Sequence, residues 1–85
     1  MTEEEIFNKI ADMIADRFEI DRDKITMNLN FQNDLDVDSI DFVEFVMDLE
    51  DTFGAEIPDE DAEKLQTVGE AVTYIKEHQN YLLNP

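Results

Sequence analysis

Three runs of apolar residues recur at helical spacing in this chain, and no run alternates as a strand would. Ile6, Phe7, Ile10, Met13, Ile14 and Phe18 form the first run, and Phe42, Phe45, Val46, Leu49 and Phe53 the second. Val68, Ala71, Val72 and Ile75 form the third. Each predicts a helix that must bury one stripe against the others. The 85 residues suffice for one small domain around one core. The expected class is therefore all-α.

Punctuation sets the helix ends. Thr2-Glu3-Glu4-Glu5 is a capping box, so the first helix is expected from about Glu3 to Phe18. Residues 19–38 contain no Gly or Pro and no sustained period, yet Ile20, Ile25, Leu29, Phe31 and Leu35 can pin them to the core. Asp21 to Lys24 suits one short helical turn. The next helix is expected over Ser39 to Phe53, stopped by Gly54. After Pro58, Asp59 to Lys64 can make a short third helix. Thr67-Val68-Gly69-Glu70 is a second capping box, opening a fourth helix to about His78. Residues 80–85 are expected to be a flexible tail beyond a domain of residues 1–79.

The stretch with most chemical content is Asp34-Leu35-Asp36-Val37-Asp38-Ser39-Ile40-Asp41. Asp38 is a strong N-cap, and Asp41 three residues on makes a box-like start. Val37 and Phe42 hold the two positions of a hydrophobic staple. Ser39 is then the first helical residue. Its hydroxyl lies beside free amides and the positive end of the dipole, a favourable place for a phosphate. At roughly 100° per residue, Ile40, Met47 and marginally Val43 fall opposite the core stripe, among Asp41, Glu44, Asp48 and Asp51. Apolar residues grouped on a wet face and rimmed by acids suggest a contact surface.

Charge narrows the partners. The formal net charge is -17, which disfavours nucleic acid and anionic membrane and favours basic proteins. Thirteen acids and no base lie between Lys24 and Lys64. Asp34, Asp36 and Asp38 match the opening of a calcium loop, but Ser39 replaces its glycine, Phe42 follows at the ninth position and Phe45 replaces its closing glutamate. No specific metal site is expected, only diffuse cation binding. There is no cysteine, no Gly-x-Ser-x-Gly elbow around Ser39, and a single histidine, His78, near the end. Nothing reads as catalytic. The acidic start is unlike a signal peptide, and a monomeric cytosolic chain is expected.

Asp34 to Asp41, followed by Val43-Glu44-Phe45-Val46-Met47 and Leu49-Glu50, resembles the prosthetic-group site of bacterial acyl carrier proteins. Glu56-Ile57-Pro58-Asp59-Glu60 with Ala62-Glu63-Lys64 resembles the approach to their third helix, and Thr67-Val68 with Tyr74-Ile75 their last. The resemblance covers about Ile6 to Gln79. It implies a four-helix bundle with three longer helices and a short third. It implies 4'-phosphopantetheine on Ser39, transferred from coenzyme A by a phosphopantetheinyl transferase, with Asp38 as the motif's aspartate. Such a chain is a carrier of acyl thioesters, not an enzyme. The resemblance further implies that Ile40, Asp41, Glu44, Met47, Glu50 and Asp51 meet basic patches on fatty acid synthesis enzymes. Asp36, where many members have Gly, and Phe42 depart from the family's pattern. The expected pathway is dissociated fatty acid synthesis; polyketide or D-alanyl carriage and a cofactor-free acidic interaction module are the alternatives.

Overall fold

In the computed structural model, which describes residues 2–35 and 37–83, four α-helices follow one another. They are α1 (Glu3–Phe18), α2 (Ser39–Phe53), α3 (Asp59–Ala62) and α4 (Val68–Leu83), with a 3-10 turn at Arg22–Lys24. Both halves of the first capping box form: Thr2 N–H donates to Glu5 Oε1 at 3.0 Å, and Glu5 N–H to Thr2 Oγ1 at 3.2 Å. Gly54 closes α2 in the left-handed region at φ 65, its N–H donating to the Glu50 carbonyl at 2.8 Å. α1 ends on the same conformation at Glu19, φ 55, without a glycine.

The apolar stripes meet in one core. Ile6, Ile10, Ala11 and Ile14 of α1 join Phe45, Val46 and Leu49 of α2 and Val68, Ala71, Val72 and Ile75 of α4. No charged or polar side chain is buried among the described residues. The long α1–α2 connection is packed down, as its scattered apolar residues lead one to expect. Ile25 and Phe31 are buried, while Ile20, Leu29 and Leu35 are partly so. Phe31 is the anchor that positions α2: its ring lies 5.4 Å from Phe42 and 5.7 Å from Phe45, centroid to centroid. The turn beside it needs no glycine because the Asn30 side chain accepts from the amides of Gln32 and Asn33, each at 2.9 Å.

Two helix ends differ from expectation. α3 stops at Ala62 rather than Lys64; the amides of Lys64 and Leu65 bond three residues back, to Asp61 and Ala62, so the last turn tightens out of α-geometry. α4 continues past His78 to Leu83, since no Gly or Pro intervenes and Leu82 and Leu83 favour helix. Of the tail expected at 80–85, residues 80–83 continue this helix, and 84–85 lie outside the described residues.

Candidate functional site

Ser39, the only serine in the chain, opens α2 and is exposed. Asp38 before it is extended, at φ -71 and ψ 153, and its Oδ1 accepts the Ser39 N–H at 2.8 Å. The cap therefore grips the amide of the serine itself. Asp41 does not complete the box-like start, because an aspartate is one methylene shorter than the glutamate that spans this distance at Thr2 and Glu5. The first intrahelical bond runs from Phe42 N–H to the Asp38 carbonyl at 2.9 Å. The amides ahead of it are not used by the helix ladder and carry the dipole's positive end. Asp36 lies outside the described residues.

Ser39 stands at the edge of a cleft of about 730 Å³ between α2, α3 and the long connection. Phe31, Val37, Phe42, Val43, Ala62 and Leu65 supply its apolar lining, and Asp59 and Glu63 its acidic rim. Both staple positions, Val37 and Phe42, line this cleft. An exposed hydroxyl beside an apolar cleft of this size fits a phosphate-linked arm whose far end carries an apolar chain. Sequence reasoning placed Ser39 at the opening of α2, where it lies, and expected the carried chain between the helices, but it assigned no residue to the walls of this cleft. Val43 at the margin of the helical wheel was the one local hint; the α3 and Leu65 walls come from tertiary packing.

The expected contact face is exposed. Ile40 is 66% accessible, Val43 53% and Met47 58%, the large hydrophobic residues left open on α2. Asp41, Glu44 and Asp51 are exposed around them, while Glu50 is half-buried on the side toward Tyr74. Arg17 of α1 reaches over to this face. Its Nη1 lies 3.4 Å from Glu44 Oε2, and its Nη2 bonds Asp48. The hydrogen bond that Arg17 donates to Asp48, together with the two carboxylate charges, holds the guanidinium above its ordinary pKa. Among the described residues no cluster of three ligating side chains is arranged to hold a metal ion. No helix among them is long and apolar enough to cross a membrane.

Comparison with known proteins gives a consistent picture. The family described as the phosphopantetheine attachment site matches residues 8–75. An acyl carrier protein of Lactobacillus johnsonii is 88% identical over 80 residues, covering 94% of this chain and all of that one. One of Lactobacillus acidophilus is 71% identical over 79 residues, covering 93% and 99%. Among solved structures, the acyl carrier protein from Enterococcus faecalis superposes with a TM-score of 0.80 at 52% identity, covering 92% of this chain and 99% of that chain.

Proposed function

We propose an attachment residue and a pathway for this chain, which belongs to the family of acyl carrier proteins: Ser39 carries the prosthetic group, and the chain serves dissociated fatty acid synthesis. It is a carrier rather than an enzyme, and its prosthetic group is covalent 4'-phosphopantetheine. That group supplies a terminal thiol for acyl thioesters, which a chain without cysteine cannot supply itself.

The observation that carries the assignment is the setting of Ser39. It combines an exposed hydroxyl, the first turn of a long helix and the mouth of the apolar cleft. Asp38 holds its backbone, leaving the hydroxyl free for transfer. The helix start favours the phosphodiester charge. Phe31, Phe42, Val43 and Leu65 offer an apolar berth for the chain carried. Thr2 and Thr67 cap helices with their hydroxyls, and Thr26, Thr52 and Thr73 do not open a helix. Ile40, Met47, Asp41, Glu44, Glu50 and Asp51 form the docking face for basic patches on the phosphopantetheinyl transferase and the synthesis enzymes. The carrier unit spans residues 1–79, acts as a monomer and works in the cytosol.

Two measurements test this. Incubation with coenzyme A and a broad-specificity transferase should add one phosphopantetheine to the wild type and none to Ser39→Ala, by intact mass. A mutant that still gains the group would overturn the assignment. Acyl analysis of the natively purified protein should find saturated straight chains. Polyketide or D-alanyl groups would overturn the pathway alone.

A further inference from the structure

Thirteen acids lie between Lys24 and Lys64, yet only Glu44 and Asp48 have an ion-pair partner among the described residues. Both pair with the same cation, Arg17, which comes from α1. They lie on the edge of the exposed α2 face that runs beside α1. The other edge runs beside α3: Val43 shares the cleft rim with Asp59 and Glu63, and Glu50 faces toward Tyr74. Asp51, one turn beyond Met47 and exposed, lines the groove beside Arg17 together with Asp48. The acids on the α3 edge, Glu50, Asp59 and Glu63, have no ion-pair partner among the described residues.

We infer that Arg17 is an internal counter-ion that silences the α1 edge of the docking face, so that a partner's cations enter over the α3 edge. The partner chemistry is an apolar pocket for Ile40, Val43 and Met47, flanked by Lys or Arg. This deepens the docking reading above and rests on it. Arg17 acts in two ways. Its charge lowers the local potential that draws a basic partner toward Glu44 and Asp48. Its planar fork also occupies the carboxylate oxygens that an incoming Arg would need. An exposed pair of this kind is weakly held, so Arg17 competes with the partner and does not bar it.

The test is the association rate constant, read by stopped flow at low salt. The probe is a catalytically inactive phosphopantetheinyl transferase with a basic docking patch. Glu63→Gln, on the α3 edge, should slow association roughly two- to threefold, while Asp48→Asn, which removes the same charge, should change it little. Arg17→Gln should speed association roughly two- to fivefold. Arg22→Gln is the control for net charge, because Arg22 is engaged with Asp12 and Asn8, away from this face. Its effect should be clearly smaller. In the Arg17→Gln background, Asp48→Asn should slow association as much as Glu63→Gln does. Equal effects of Arg17→Gln and Arg22→Gln would overturn the inference. So would Asp48→Asn slowing the wild type as much as Glu63→Gln, a comparison that needs no change at Arg17. If Asp48→Asn, Asp51→Asn and Glu63→Gln leave the rate unchanged in every background, the docking reading itself is overturned.

Discussion

The Tyr74 hydroxyl donates to Asp61 Oδ2 at 2.7 Å, and its ring stacks on His78 with centroids 3.8 Å apart. α3 buries no residue of its own, so this bond is a main tie between α3 and α4. Burial of the phenol, the hydrogen bond to Asp61, and the charges of Asp61 and Glu50 together raise its pKa. A folded pKa above the unfolded value of about 10 fixes the sign. The contribution is fully present below about pH 10 and is lost as pH rises through the folded value. Tyr74→Phe should therefore cost about 1 kcal/mol at neutral pH. Above about pH 10 the wild type should lose more stability than the variant, and the gap between them should narrow. Urea melts at pH 7, 10 and 11 test this; parallel losses would show that another group titrates.

The phase of α2 decides what its two faces do, and a pair of neighbours reports it. Phe45 is 1% exposed and touches the rings of Phe18 and Phe31, so Phe45→Ala should destabilise by roughly 3–5 kcal/mol. Glu44 is exposed and loses only a surface pair with Arg17, so Glu44→Lys should cost less than about 1 kcal/mol and leave the helix content unchanged. A Glu44→Lys chain that unfolds while Phe45→Ala stays folded would invert the phase. This phase was legible from the spacing of Phe42, Phe45, Val46, Leu49 and Phe53, as were Ser39 and the stop at Gly54. Other features were not legible, because they depend on residues distant in sequence. The bonds from Gly69 N–H to the Met27 carbonyl at 2.8 Å and from Val68 N–H to Leu29 at 3.0 Å tie the long connection to the start of α4. Gly69 looks like a weak helix residue in sequence. A Cβ there would meet the Met27 carbonyl oxygen at 3.0 Å, so the glycine permits this close approach. Arg17 carried no sequence signal either: its partners lie 27 and 31 residues away. The walls of the cleft were not legible for the same reason, since Leu65 and Ala62 meet Val43 across it only after α3 folds back.

At the scale of the whole molecule, charge governs stability. The principal extents are 37 × 25 × 19 Å, comparable to a Debye length of about 30 Å at ~0.01 M salt. At that ionic strength almost every carboxylate senses every other, and the 6 Lys and Arg residues against 23 Asp and Glu still leave a formal net charge of -17. Unfolding spreads these charges apart, so the folded state should be weakest at low salt. At physiological ionic strength the Debye length falls to about 8 Å, and the repulsion across the molecule is largely screened. The melting temperature should therefore rise with NaCl, by roughly 4–8 °C for each kcal/mol of repulsion relieved in a domain this small. Divalent ions should raise it further than Na+ at equal ionic strength, because they accumulate more strongly where the acids are dense and bind the compact state preferentially. With no built metal cluster among the described residues, Mg2+ and Ca2+ should act alike despite their different coordination demands. Thermal melts in NaCl, MgCl2 and CaCl2 matched for ionic strength separate the cases. Coincident curves for all three salts would remove the divalent preference. A large advantage of Ca2+ over Mg2+ would instead point to a defined site, and would overturn the diffuse picture.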